Sequence, residues 1–416
     1  MLTESMPGIR SASIGVWVRA GSVHEAPAEM GVSHLLEHMV FKGTRRRTAR
    51  DLALVLERVG GSLDAYTTRE HTSYQARVLD ADIDLALDVL ADVVTAPLLR
   101  ESDLEMEREV VLEEIATVED TPDDLVFDLH AGLMWGDHPY GYSILGTTQT
   151  VSELTVADLR RVHAARYVPD NMVIAAAGNV DHDSFVDRVK AEFCREAAAD
   201  RGGGLPSGDA ARHGLVSGNG NGAGHAMLPE PVPCRSCVDR RTAQTHLVWG
   251  RPTFGQGDPR RFGLVLLSNA FGGGMSSRLF QRVREEMGLA YSVFSFQSFY
   301  ADAGVSGVYV GTRPESADRA EAVIEDELRR LAEDGITSDE LDDVKGQVKG
   351  QIVLSLESSS ARLHRLAGTE LYGEPFRSMD EITALVEAVT LDEVGGLAAQ
   401  YFAPGTQALL RLGPGN

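Results

Sequence analysis

Cysteine is nearly absent. Three stand among 416 residues: Cys194, Cys234 and Cys237. An odd count this low cannot build a disulfide framework and fits a reducing compartment. Cys234-Arg-Ser-Cys237 is a single CxxC in a loop-like stretch. It has no second pair to complete a zinc ribbon and no strand–helix setting for redox exchange, so it reads as incidental. Positive charge is also short, with 39 Lys and Arg against 62 Asp and Glu and a net charge of −23. Phosphate binding needs clustered Lys and Arg, which excludes nucleic acid as a partner. The acidic surface is well solvated and permits cationic substrates. No apolar run approaches the ~20 residues that span a bilayer. The start, Met1-Leu-Thr-Glu-Ser-Met-Pro-Gly8, is neither a signal peptide nor an Arg-rich transit sequence. Gly272-Gly-Gly274-Met-Ser-Ser-Arg278 lacks the Lys-Ser/Thr ending of a phosphate loop, so nucleotide binding is not expected. The default is a soluble cytoplasmic protein with neither nucleic acid nor membrane as a partner.

What is present suggests two or more domains, because one core rarely grows to serve this length. Ser11 to Ala20 reads as a strand closed by Gly21. Helices follow around His34 and from Thr48 to Val59. Ala65 to Val78 alternates enough to be one long strand. Asp82 to Val94 is an amphipathic helix, Glu101 to Val118 a long acidic one, and Asp120 to Pro139 a further helical stretch. Asn171 to Gly178 is a buried strand, and another helix ends near Phe193. The texture then changes. Residues 197–241 carry Gly202-Gly-Gly204 and Gly218-Asn-Gly-Asn-Gly222 and no apolar period, the signature of a flexible linker. Beyond it the first half is echoed in order. His246 to Trp249 matches Val16 to Val18, the helix Phe262 to Phe271 matches the one around His34, Ala290-Tyr291 matches Ala65-Tyr66, and Ser316 to Leu328 matches Asp82 to Val94. The expected fold is α+β. Two homologous domains, 1–196 and 242–416, each pair an antiparallel-rich sheet with packed helices and are joined by the linker.

The stretch with the strongest chemistry is His34-Leu-Leu-Glu-His38. Pro27 before it and Gly43 after it bracket one helix. His34 and His38, four apart, project from one face, and Glu37 shares that face. Val32, Leu35, Leu36, Met39 and Val40 cover the rest. A His pair at this spacing is more often a solvated helix face. Here the remaining circumference is apolar, so two imidazoles and a carboxylate in a buried helix need a partner. A divalent metal supplies one, because neutral imidazole ligates zinc well. The order H-x-x-E-H is that of the inverted zinc peptidases. Two His leave a tetrahedral zinc short of a third protein ligand. The acidic helix, with Glu113 and Glu114 about 100° apart around its axis, is the obvious source. The second copy has no such motif.

His34-Leu-Leu-Glu-His38-Met-Val-Phe-Lys-Gly-Thr44 resembles the active-site helix of the pitrilysin/insulinase metallopeptidases, in the branch with mitochondrial processing peptidase and short bacterial peptidases. The two-half arrangement extends the resemblance over nearly the whole chain, linker excepted. It implies one Zn2+ per chain held by His34 and His38, with Glu37 activating water. The family's third ligand is a Glu about 76 residues after the second His, in a setting that Val110-Val-Leu-Glu-Glu114 matches. Glu107, seven residues earlier on the same helix face, matches a second Glu that supports the site. Arg284-Glu-Glu-Met-Gly-Leu-Ala-Tyr291 resembles the R-x6-Y segment of the family's second half, where Tyr lies near the tetrahedral intermediate and Arg near the substrate backbone. The implied activity is a zinc endopeptidase acting on short or unfolded polypeptides held in extended form between the domains. The substrate adds as a strand along the edge that begins near Ala65. A homodimer is implied, since two-domain members pair. The alternative is a non-catalytic partner subunit of the same fold, serving assembly or substrate binding. Such subunits have lost part of HxxEH, which this chain keeps. Asp64 stands where the family usually has Asn, which removes an amide donor. The family usually has an extra strand ahead of the start Met1 to Gly8, so the chain is expected to begin slightly late. His71 and His130 have no ligand spacing and are expected to be structural.

Overall fold

The structure, a computed structural model, describes residues 1–199 and 233–415, with the side chains of 194–199 excepted. Most of the expected linker lies outside the described residues.

Among the described residues ten strands form two five-stranded sheets with one wiring used twice. The first contains β1 (Leu2–Ser5), β2 (Ser11–Val18), β3 (Ser62–Thr67), β4 (Thr72–Leu79) and β5 (Met172–Gly178), in the order β1-β5-β2-β4-β3. The second contains β6 (Cys234–Asp239), β7 (Thr245–Thr253), β8 (Ala290–Phe299), β9 (Gly304–Thr312) and β10 (Ala408–Gly413), in the order β6-β10-β7-β9-β8. In each sheet the first pair, β1 with β5 and β6 with β10, is parallel and the other pairs are antiparallel. Helices pack on both sheets, so the α+β class and the repeat are as expected. Among the described residues no helix is long and apolar enough to cross a membrane.

Three differences from the sequence reading have local causes. The single strand expected from Ala65 to Val78 is a hairpin, β3 and β4. Its turn contains no Gly, Pro or Asn and is closed instead by Thr68. The Thr68 N–H and hydroxyl both donate to the His71 carbonyl, and the same hydroxyl accepts from the Glu70 and His71 N–H groups. The short strand β1 lies ahead of Ser11, paired along β5. The CxxC stretch is not a loop: Cys234 and Cys237 lie on β6, and both are free. Three residues apart on a strand, they project from opposite faces and cannot close on one ion.

The chain divides into two compact units that are not its contiguous halves. Unit 1 is Met1–Ile115, Ser143–Met227 and Glu357–Leu371, and unit 2 is Ala116–Tyr142, Leu228–Leu356 and Tyr372–Asn416. Each sheet therefore receives one helix from the other end of the sequence. In unit 1, Ser359–Leu371 packs on β5, β2 and β1, where Leu363, Leu366 and Ala367 bury Trp17, Val173, Ala175 and Ala177. In unit 2, Pro122–Trp135 packs on β7 and β10, where Leu125 and Val126 join Val248, Tyr309, Leu410 and Leu412. The opposite face of each sheet carries the larger core.

The helix Val32–Val40 lies in unit 1 against that larger core, with Leu35, Leu36, Met39 and Val40 fully buried. Its entry is fixed twice. Gly31 takes φ +91°, and a Cβ there would stand 2.5 Å from the Leu145 carbonyl oxygen, so only glycine fits. The Glu25 carboxylate, itself buried, accepts from the Gly31 and Ser33 N–H groups at 2.8 Å each, the capping role usually played by a shorter side chain. Beyond its end Gly43 takes φ +126°. The following loop is tied to the helix Ile83–Thr95 by fully buried Asp92, which accepts from Thr44, Arg46 and Arg47. A buried carboxylate with three donors, two of them guanidinium cations, is satisfied, and loss of both cations would leave its charge uncompensated.

Candidate metal centre

His34 and His38 stand one turn apart on the helix Val32–Val40, their ring centroids 4.7 Å apart. The acidic helix, Glu101–Asp120, brings Glu114 to both. Glu114 Oε2 is 3.6 Å from His34 Nε2, and Glu114 Oε1 is 3.7 Å from His38 Nε2. Ligands about 2 Å from a tetrahedral centre lie about 3.3 Å from one another. The three groups thus need only a small inward movement to share one ion. Among the described residues they are the one cluster of this kind. Glu113 is exposed and outside it, so the geometry groups Glu114, and not its neighbour, with the two His.

The protonation states suit a metal. Burial, with a smaller contribution from nearby His38, lowers the His34 pKa to about 4, so this ring is neutral at pH 7. His34 Nδ1 is buried and has no hydrogen-bond partner among the described residues. His38 is better supported: its Nδ1 lies 3.1 Å from Glu107 Oε2. An ionised carboxylate only accepts, so Nδ1 donates there, and Nε2, on the side where Glu114 lies, is the nitrogen that would meet a metal. Glu107 is buried, and its other oxygen is 2.5 Å from Lys42 Nζ. Two imidazoles and one carboxylate form a donor set that fits zinc and leaves a fourth position open.

Glu37 is outside this ligand set, as its expected role requires. It is buried, and Thr67 Oγ1, on the last residue of β3, donates to its Oε2 at 2.6 Å. Burial pushes the Glu37 carboxyl up, the Thr67 hydroxyl and His38 draw it partly back, and Glu114 adds to the rise. A carboxylate raised in this way is a better proton acceptor near neutral pH. β3 is the edge strand of its sheet, so its outer backbone groups have no strand partner among the described residues. Asp64 is exposed on that strand.

The other sequence candidates belong to unit 2. Tyr291 sits at an irregularity in the register of β8 between Ala290 and Ser292, and it is 77% exposed. A bulge turns the extra side chain out of the sheet. Arg284, on a π-helical turn (Phe280–Glu286), places its guanidinium 4.5 Å from the centre of the Tyr291 ring and donates to the Tyr291 carbonyl at 3.2 Å. Arg284 and Tyr291 are thus a joined pair. His130 is buried, with Nε2 3.0 Å from the Ala408 carbonyl oxygen, and His71 lies edge-on to Tyr66. Sequence reasoning gave no role to Glu25, Lys42 or Thr67. Lys42 and Thr67 were visible in the motif and the strand, but their partners are 65 and 30 residues away.

Residues 1–148 match the family described as Insulinase (Peptidase family M16), and residues 153–348 the family described as Peptidase M16 inactive domain. An uncharacterized zinc protease of Streptomyces coelicolor is 42% identical over 96% of this chain and 84% of its own length. The chain belongs to the M16 peptidase family. An uncharacterized zinc protease of Bacillus subtilis is 40% identical over 97% of this chain and 93% of its own. Two solved structures share the fold. A peptidase M16 inactive domain from Pseudomonas fluorescens has a TM-score of 0.87, 22% identity and coverage of 100% and 95%. A Helicobacter pylori protease has a TM-score of 0.86, 21% identity and coverage of 99% and 96%. All the residues of the candidate centre precede the stretch that matches the inactive domain.

Proposed function

We propose that this M16 protein is a zinc-dependent endopeptidase hydrolysing short or unfolded polypeptides in extended form. The observation that carries the reading is the convergence of His34, His38 and Glu114 with Glu37 left free beside them. Bound zinc would act as a Lewis acid, polarising a peptide carbonyl and making water acidic enough to lose a proton near pH 7. Glu37 accepts that proton and returns it to the leaving amine. His34 and His38 serve as imidazole donors, Glu107 holds the His38 ring, and Lys42 balances Glu107. The open edge of β3 suits a peptide added as a further strand, with backbone hydrogen bonds giving affinity. Tyr291 and Arg284 are proposed, on the family resemblance, as donors to the anionic intermediate. On the same ground two copies are proposed to associate, and light scattering showing a fully active monomer would refute that.

The test of the central reading is Glu37→Gln. It removes the base and leaves three ligands, so zinc content should stay at the wild-type level while hydrolysis of a peptide library, read by mass spectrometry, falls by about 10²–10⁴ or more. Loss of zinc in this variant would make Glu37 a ligand and overturn the roles. Intact peptides with the zinc-loaded wild type would favour the non-catalytic subunit instead.

A further inference from the structure

Among the described residues the Glu37 side chain reaches the rest of unit 1 through one short hydrogen bond, and the groups around that bond fix its direction. Thr67 Oγ1 is 2.6 Å from Glu37 Oε2 and 3.3 Å from Thr72 Oγ1. Thr72 is fully buried, and its hydroxyl donates to the Ala20 carbonyl at 2.8 Å. A hydroxyl has one proton. The Thr72 proton is committed to Ala20, and an ionised Glu37 can only accept, so the Thr67 proton points at Glu37 Oε2. Thr67 is also a residue of β3, the open edge strand, with Thr67 paired to Thr72 across the hairpin. One residue therefore contributes backbone to the edge and side chain to the base.

We propose that Thr67 is a positioning residue that holds Oε2 of Glu37 to the scaffold and leaves Oε1 as the oxygen that carries the proton. In the reaction the water O–H bond breaks, its proton passes to Oε1, and its oxygen forms the new bond to the peptide carbonyl carbon. The same proton then forms the N–H bond of the leaving amine as the C–N bond breaks, so Glu37 ends ionised and the Thr67 proton never leaves its oxygen. A carboxylate held at one oxygen keeps the other within reach of water, whereas a free one rotates about its last torsion, which is broad and roughly two-fold. Because the hold comes from the edge strand, a peptide lying along β3 and the base share one rigid element. This inference rests on the peptidase reading above.

The test compares Thr67→Val, which keeps branching and size without the donor, with Thr67→Ser, which keeps the donor. Zinc affinity, measured by chelator competition, is expected within about twofold of wild type in both, since neither touches a ligand. For Thr67→Val the kcat on a cleaved peptide should fall roughly 10- to 100-fold, a part of the general-base effect, with KM within about twofold. Thr67→Ser should recover most of that loss. A crystal structure of Thr67→Val should show the Glu37 carboxylate in more than one orientation. In a Glu37→Gln background Thr67→Val should cost little more, because residues acting through one another are non-additive. Unchanged kcat in Thr67→Val, a loss confined to KM, or full additivity with Glu37→Gln would each overturn the proposal. A wild type that cleaves no peptide would instead defeat the peptidase reading, and the Glu37 orientation in the Thr67→Val crystal would still decide the positioning role.

Discussion

Unit 1 and unit 2 repeat one strand order, yet the same helix does different work in each. In unit 1 the helix after β2, Val32–Val40, carries two imidazoles and a carboxylate whose ring nitrogens face Glu114. In unit 2 the helix after β7, Arg261–Gly272, is filled by Leu264, Leu266, Leu267 and Phe271, all fully buried. Its polar groups find partners in the protein, Arg261 in Glu374 among them. Asn269 donates to the Val265 carbonyl, and Ser268 bonds to Ser295 on β8. That last link is the counterpart of Glu37 to Thr67: in each unit this helix is tied by a side chain to the edge strand of its sheet. The tie belongs to the shared architecture, and unit 1 has put a carboxylate in it. Fold and chemistry are separable here, with the chemistry resting on a few side chains whose partners are not closed within the helix.

The strongest way to break the comparison is to cut the chain at the linker. If the units were contiguous halves, residues 1–199 would fold alone. They lack Ser359–Leu371, so Trp17, Val173, Ala175 and Ala177 would lose their cover. Each large apolar side chain uncovered costs about 1.5–3 kcal/mol, and a domain has only about 5–15 kcal/mol of stability. We expect 1–199 to be unfolded or aggregated by circular dichroism. Appending 357–371 through a flexible linker should restore a cooperative transition. A cooperative transition in 1–199 alone would show that the exchanged helix is dispensable.

The second test asks whether unit 2 takes part in the chemistry. Tyr291→Phe removes one hydroxyl from a highly exposed ring and should leave fold and zinc unchanged. If the hydroxyl is a donor to the intermediate, kcat falls by about 10²–10³. An unchanged kcat and kcat/KM would confine the chemistry to unit 1.

A third test works within unit 1. Glu114→Gln should weaken zinc by at least about tenfold, while Glu113→Gln should leave it within about twofold. Atomic absorption after dialysis against a graded chelator reads both, and the reverse result would move the third ligand by one residue.

How much of this was legible beforehand follows from the range of each interaction. The HxxEH face, the glycine brackets and the repeat are local or periodic, and the sequence displays them. Glu114 could be narrowed to one of two neighbours from helix phase and was chosen by resemblance. The hairpin between β3 and β4 was hidden because Thr68 closes it with a hydroxyl, where sequence rules look for glycine or asparagine. The strand β6 was hidden in a glycine-rich neighbourhood, and only pairing along β10 reveals it. The exchange of Pro122–Trp135 and Ser359–Leu371 was out of reach, because an amphipathic helix announces an apolar face but not which sheet will cover it. The roles of Glu25, Lys42 and Thr67 depend on contacts set by the tertiary fold.

The smallest expected effect concerns acid and the exchanged helix of unit 2. His130 on Pro122–Trp135 is buried, and burial lowers its pKa to about 4, partly offset by the bond to Ala408. Unfolded, it would titrate near 6.5, so between the two values the unfolded chain binds a proton that the folded chain does not. Stability from this group is therefore complete above about pH 6.5 and is lost as pH falls toward 4. Between pH 6.5 and 5.5 the loss is about 1 kcal/mol. In unit 1 the corresponding helix is held by other ties, Ser13 to Ser359 and Arg362 to Glu4. His24 and His71 of that unit are lowered to about 4 as well, chiefly by burial, so the whole chain should lose more than one group's share. His130→Gln isolates the contribution. It should be less stable than wild type at pH 7, and urea unfolding should show the gap narrowing by about 1 kcal/mol between pH 6.5 and 5.5. A gap that stays constant over that interval would mean that the folded and unfolded chains take up the His130 proton alike, and burial would then not be what sets its titration.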